Sequence, residues 1–360
     1  GMINKEFSKV INVPFCPESE LSGIGYKDFI NACWYRKKVD IKKGDNAVIL
    51  NFEACYYRTE VFVNGASVGV HLGGYTNFSF DITDKVVDGE NVIVVYVEAD
   101  SRCDKQPSGK QSQRYESYGC YYTRSTGIWQ TVWLEFVPKT YLKSVKLDSD
   151  IDNKILTAQM FFNKKGEKTV TLTAKYDGKE VGTKVFKTKS EIATTQLKVS
   201  TLKLWSIENP NLYDLDITVQ SADGVDKMSS YFGMRRIEMD TNGMRINGKY
   251  VYQRLVLDQG YYPDGIYTAS SAEALKKDIE ISQAVGFNGA RLHEKVFERR
   301  FLYYADQMGY ICWGEYPNWG YNHAAPWATD IYLREWMESV ERDYNHPCIV
   351  GWCPTNETWE

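Results

Sequence analysis

Six side chains, Asp258, Arg291, His293, Glu315, Asn356 and Glu357, stand at or just past the ends of apolar runs in the last third of a 360-residue chain. Carboxylates beside a guanidinium, an imidazole and an amide are groups that move protons and hold hydroxyl-rich molecules. The sharpest constellation is the last one. Cys348-Ile349-Val350-Gly351-Trp352-Cys353 is a short apolar run leading through Pro354-Thr355 into Asn356-Glu357, with Trp352 and Trp359 on either side. A carboxylate just past the carboxyl end of a buried strand is a common position for acid/base chemistry in a barrel. Indole faces suit the flat side of a sugar ring. Each of the other residues also has a plainer reading. Asp258 can cap a turn, Arg291 can pair with Glu315 across adjacent strands, and His293, one of four histidines, can be a hydrogen-bonded core residue.

The elements that must position these residues alternate in type. Tyr250 to Leu257 reads as a strand. A helix follows, with Ser270 and Glu273 at capping-box spacing and Gly286 at its end. Ala274, Leu275, Ile279, Ile281 and Val285 are expected on its buried side. Then come a strand over 287–292, a helix over 297–308 closed by Gly309, a strand over 310–315, a helix over 330–344 and a strand over 349–353. Strands alternating with helices predict right-handed βαβ units on a parallel sheet. Four strands and three helices are about half of an eight-fold barrel.

The preceding residues read as β throughout. Up to about residue 138 they contain strands around Val48–Phe52, Glu60–Val63, Val68–His71, Asn91–Val97 and Ile128–Glu135. Asn64-Gly65 marks a two-residue hairpin turn. Short strands with turn signals predict a sandwich or jelly roll. Residues 100–126 form a long Gly/Ser-rich loop, either functional or a surface excursion. Residues 139–239 hold shorter strands with a turn at Asp177-Gly178. About seven strands in roughly 100 residues fit an immunoglobulin-like sandwich. That segment contains no cysteine, so no disulfide joins its sheets. The expected domains are 1–138, 139–239 and 240–360.

A net charge of −4 with interleaved signs argues against nucleic-acid or membrane-surface binding. No run is long enough to span a membrane. The 26 tyrosines and 10 tryptophans fit both β-sheet composition and carbohydrate contact. Eight scattered cysteines with no Cys-x-x-Cys spacing favour a reducing compartment; the setting is cytoplasmic or periplasmic, with the cytoplasm favoured, and no zinc pattern occurs.

Several motifs together resemble glycoside hydrolase family 2, the group of β-galactosidases, β-glucuronidases and β-mannosidases. In the first segment these are Val13-Pro14-Phe15-Cys16-Pro17-Glu18-Ser19, Val63-Asn64-Gly65, Gly73-Gly74-Tyr75-Thr76-Asn77-Phe78, Phe80-Asp81-Ile82-Thr83 and Ser125-Thr126-Gly127-Ile128-Trp129-Gln130. Further on they are Phe232-Gly233-Met234-Arg235, Ile246-Asn247-Gly248, Gly286-Phe287-Asn288-Gly289-Ala290-Arg291, Arg342-Asp343-Tyr344-Asn345-His346-Pro347 and Asn356-Glu357.

The resemblance implies a jelly-roll sandwich, an immunoglobulin-like sandwich and the first half of a TIM barrel. It implies retaining hydrolysis of β-linked oligosaccharides or glycosides, with Glu357 as general acid/base. Asn356, His293, Arg291, Asp258, Glu315 and Trp352 would bind substrate. Burial against Trp352 and Trp359 would raise the Glu357 pKa. The nucleophile would be a second glutamate roughly 5 Å away, from a later strand beyond residue 360, so this chain is expected to be inactive alone. Glu315 does not match that nucleophile position. The family's Arg-x-x-His appears here as Arg291-Leu292-His293. Some members use Mg²⁺ or Na⁺, yet no carboxylate cluster can be assigned to a metal. A half barrel would leave two open strand edges, to be covered by self-association into a homo-oligomer or by a complementing C-terminal half. The alternative is a non-catalytic carbohydrate-binding or assembly protein derived from such an enzyme.

Overall fold

A computed structural model describes residue 2 and residues 4–358; Trp359, expected beside Glu357, lies outside the described residues. The first unit is built from two antiparallel sheets. One orders Ala32–Ile41, Gly89–Glu98, Arg58–Val63 and Ala66–Leu72; the other orders Phe78–Asp81, Ala47–Phe52 and Val132–Val137. Alternation places Val61 and Val63 in the core beside Val48, Leu50, Phe52, Val95 and Val97. Asn64 and Gly65 turn the hairpin with φ of 51° and 86°, as a two-residue turn requires. The expected strand over 128–135 is broken: Gly127–Ile128 pairs with Cys55–Tyr56, and a separate strand starts at Val132.

The second unit, Leu142 to Phe232, has seven strands in a three-stranded and a four-stranded antiparallel sheet. Leu156, Ala158, Met160, Val170, Leu172, Leu215 and Ile217 close its core. All eight cysteines of the chain are free.

The third unit is a four-stranded parallel sheet, ordered β1 (Leu255–Asp258), β2 (Gly289–Leu292), β3 (Ile311–Glu315) and β4 (Ile349–Cys353). The helices α1 (Ala272–Ala284), α2 (Arg299–Met308) and α3 (Ala328–Asp343) connect them in turn. The central strands are apolar because a parallel sheet covered on its faces has no polar side. The first expected strand is shorter than the apolar run suggested: Lys249–Tyr250 belongs to a small hairpin sheet instead. The α1 cap is Ser271, whose hydroxyl accepts from the Ala274 amide at 3.2 Å, not Ser270. Leu275 and Ile279 are buried, but Ile281 and Val285 are exposed. Ile281 lies two residues past Ile279, about 200° round the helix, and so faces away. No helix among the described residues is long and apolar enough to cross a membrane.

Contacts from the two sandwiches fix this sheet. Arg235, just past the second unit, donates to the carbonyls of Pro347 and Ile349 at 2.6 and 2.7 Å, where β4 begins. Asn345 bonds Leu147 N and Val145 O at 2.8 and 2.7 Å. On α3, Glu335 accepts from Tyr57 and Glu338 accepts from Thr76, both residues of the first unit. Residues 100–126 are a loop, but a tethered one. Ser108 N and Gly109 N donate to Trp319 O at 2.8 and 3.1 Å, and Asn322 N donates to Asp104 O at 2.8 Å. Gly109 is required where it stands: φ is 56°, and an added Cβ would lie 2.5 Å from the Glu294 carbonyl.

Candidate active site at the carboxyl ends of the parallel strands

Four of the expected residues meet in one network. Arg291 leaves β2 with its Nε 2.5 Å from Glu315 Oε2 on β3. Its Nη2 donates to Asn356 Oδ1, past β4, at 2.8 Å. His293 Nδ1 lies 2.8 Å from Glu315 Oε1. The Glu294 amide donates to the same oxygen at 3.0 Å. Parallel register makes this possible, because Arg291 pairs with Trp313 and Glu315 with Cys353, so successive strand ends lie side by side.

The Glu315 side chain is fully buried. Burial alone would raise its carboxyl, but His293, Arg291 and the Glu294 amide outweigh that and hold it below the ordinary range. Its oxygens are engaged by protein donors, so Glu315 orients the network rather than presenting a free carboxylate.

Asn356 is buried and held from both sides. Its amide donates to Asn318 Oδ1 at 2.7 Å, and its carbonyl accepts from Asn318 Nδ2 and Trp319 Nε1, each at 3.2 Å. Glu357 follows with φ of 49° and an exposed side chain. The expected burial of Glu357 against Trp352 therefore does not occur. Trp352 faces elsewhere: an added Cβ on Gly314 would lie 2.5 Å from its ring, and its indole meets Trp336 of α3 edge-on at 5.6 Å. Alternation along β4 explains this, since Trp352 and Cys353 point to opposite sides.

Asp258 ends β1, and its carboxylate accepts from the Gly260 amide at 2.9 Å, the turn-capping role that its type also allowed. Burial raises this carboxyl, partly offset by that amide.

Sequence reasoning missed Glu294, Lys295, Asn318, Trp319 and the contribution of the first unit. Glu294 is 1% exposed, and its Oε2 accepts from the Trp319 amide at 3.0 Å. Burial pushes its carboxyl up to about 8. Lys295 is buried too, donates to the carbonyls of Gly260 and Tyr267 at 2.5 and 2.7 Å, and is lowered by burial to about 8. Lys110, from the loop of the first unit, sits 3.3 Å over the Trp319 ring. Tyr121 of the same loop lies 5.6 Å from Trp319. Burial raises the Tyr121 phenol, and Cys120, Tyr118, Glu294 and Glu357 add to the rise. Asn318 and Trp319 lie in the loop after β3, beyond Tyr316 and Pro317, so nearness to a strand end was the one local signal for them. Nothing local in the sequence signals Lys110 or Tyr121.

Among the described residues no three His, Cys, Asp or Glu side chains come together as a metal site.

Buried carboxylates, an Asn-Glu pair and aromatic side chains thus gather at the carboxyl ends of a parallel sheet, beside two β-sandwiches. Residues 24–135 match the model "Glycosyl hydrolases family 2, sugar binding domain", and residues 140–235 match "Glycosyl hydrolases family 2". The chain belongs to glycosyl hydrolases family 2.

A putative β-glucuronidase of Formosa agariphila is 30% identical over 91% of this chain and 40% of its own length. A β-galactosidase of Thermoanaerobacterium thermosulfurigenes is 28% identical over 90% of this chain and 46% of its own. The chain thus spans less than half the length of these curated relatives. The solved β-D-glucuronidase of Dictyoglomus thermophilum superposes with a TM-score of 0.82 at 22% identity, covering 97% of this chain and 64% of that one. A Bacteroides uniformis β-glucuronidase covalently bound to cyclophellitol-6-carboxylate aziridine superposes with a TM-score of 0.79 at 21% identity, over 97% of this chain and 44% of that one. At these identities the likeness speaks for the fold.

Proposed function

We propose that this chain carries the acid/base half of a retaining β-glycosidase site. The observation that carries the reading is the clamp on Asn356. Arg291 holds its side chain and Asn318 its backbone, and this sets Glu357 at the strand ends. In this reading Glu357 protonates the leaving glycosidic oxygen and then takes a proton from the attacking water. Asn356 binds a sugar hydroxyl next to the reacting carbon. Arg291, His293 and Glu315 hold Asn356 in place, with Glu315 as the charged centre. The substrates are β-linked galactosides or glucuronides, the classes named for the relatives. The fold reading that supports this is a jelly roll over 1–138, an immunoglobulin-like sandwich over 139–239 and the first half of a (β/α)8 barrel over 240–360.

The second carboxylate is the part the described residues do not supply. Glu315 is occupied by three donors and Glu294 is buried, so neither stands free as a nucleophile. In this reading the nucleophile is a further carboxylate that is not among the described residues of this network. The same observation favours the alternative reading, a carbohydrate-binding protein without turnover.

Hydrolysis of aryl β-galactosides and aryl β-glucuronides separates the two. The chain is measured alone and fused to the remaining sequence of the Thermoanaerobacterium β-galactosidase. The glycosidase reading expects turnover only in the fusion, lowered about 10²–10⁴-fold by Glu357→Gln. Turnover unchanged by Glu357→Gln would defeat it.

A further inference from the structure

Beside Asn356 and Glu357 the chain builds an aromatic ladder from two distant segments. Trp319 follows β3 and donates its Nε1 to Asn356 O at 3.2 Å. Tyr121 stands 5.6 Å from the Trp319 ring, tilted by 40°, and Tyr118 stacks on Tyr121 at 5.0 Å and 22°. Arg114 closes the outer end, 4.1 Å over the Tyr118 ring. All three rings are half-buried, so each keeps surface open to solvent.

The ladder is held rigidly. Tyr118 and Tyr121 exchange backbone hydrogen bonds at 3.1 and 2.8 Å across a turn in which Gly119 takes φ of 52°. Tyr122 N bonds Lys110 O at 2.8 Å, and the Lys110 ammonium is fixed 3.3 Å over Trp319. Rings fixed before a ligand arrives lose little freedom on binding it. Lys110, Arg114 and the neighbouring rings cover faces of these side chains, so the open surface is a row of aromatic edges, which suits a weakly polar ligand lying across it.

We propose that Trp319, Tyr121 and Tyr118 form the platform for the leaving-group portion of a β-glycoside, selecting aryl or pyranosyl over small alkyl leaving groups. The inference rests on the assignment of Glu357 as proton donor. A proton donor must face the bond to the leaving group, and whatever lies beyond that bond extends from the Asn356-Glu357 corner, where the ladder begins. The first β-sandwich would then help choose the substrate through its loop, without touching the sugar that is cleaved.

The test uses the intact 360-residue chain and two ligands it cannot hydrolyse, phenyl and methyl β-D-thiogalactoside, with calorimetric titration. The parent chain is expected to prefer the phenyl compound. Tyr121→Ala and Tyr118→Ala are expected to weaken the phenyl compound roughly three- to tenfold and to leave the methyl compound unchanged. Asn356→Ala is expected to weaken both. Equal affinity for the two ligands, or a phenyl preference that survives Tyr121→Ala, overturns the platform while leaving the Glu357 assignment standing. Binding that Asn356→Ala does not affect, or no saturable binding of either ligand, overturns both. Unchanged thermal melting of the tyrosine variants guards against unfolding as the cause.

Discussion

Glu315 shows how one residue type can serve opposite ends. A carboxylate at a strand end reads as a candidate for chemistry, yet here it is the anchor of Arg291 and His293, its side chain fully buried. Removing a buried ionic partner leaves its counter-charge uncompensated. Glu315→Leu is expected to cost ~3 kcal/mol, the lower end for such a pair because Arg291 is 32% exposed; the midpoint of urea unfolding checks this. The sign with pH follows from its depressed carboxyl. The stabilisation is present above the ordinary carboxylate range and is lost as pH falls through the lowered value. Glu294 has the opposite sign. Its folded-state value of about 8 exceeds the unfolded 4.5, so the native state holds the extra proton and stability declines as pH rises between them. Melting temperature followed from pH 5 to pH 8 is expected to fall less steeply in Glu294→Gln than in the parent. Equal slopes would show that Glu294 does not titrate in that window.

At the scale of elements, the parallel strands are matched by exchange of large and small residues. Trp313 pairs with Gly351 and Gly314 with Trp352 in register. An added Cβ would lie 2.5 Å from the Trp352 ring at Gly314 and 2.8 Å from the Trp313 ring at Gly351. Each indole thus covers the glycine of the neighbouring strand, and over-packing there forces side chains off their preferred angles. Gly314→Ala is expected to destabilise by about 2 kcal/mol, and Trp352→Leu in the same chain is expected to recover most of that loss. Denaturant titration of both variants measures it; additive losses would mean that the two residues do not share the contact. The Trp-Gly alternation was visible in the sequence as composition. Its pairing was not, since register between distant strands is set only when the sheet forms.

At the scale of the whole molecule, the parallel sheet has two edges. Among the described residues, β1 and β4 each pair on one side only. Exposed strand edges invite pairing with another chain, and Leu257 on β1 is 49% exposed. Self-association, or capture of a complementing segment, would cover them. Size-exclusion chromatography with light scattering is expected to show an oligomer at micromolar concentration. A monomer that melts cooperatively would count against this.

The sequence by itself determined the element types and their order. Period-two alternation marked the sandwich strands, Asn64-Gly65 and Asp177-Gly178 marked their turns, and the βαβ rhythm marked the parallel sheet, because these patterns are set within a few residues. It also singled out Arg291, His293, Glu315 and Asn356, since a polar residue ending an apolar strand stands out locally. Only the tertiary structure decided what these residues do to one another, and it exposed Glu357, turned Trp352 toward α3 and brought Lys110 and Tyr121 next to Trp319. The last of these depends on contacts between segments some two hundred residues apart in sequence, and no local pattern encodes which loop will meet which strand end.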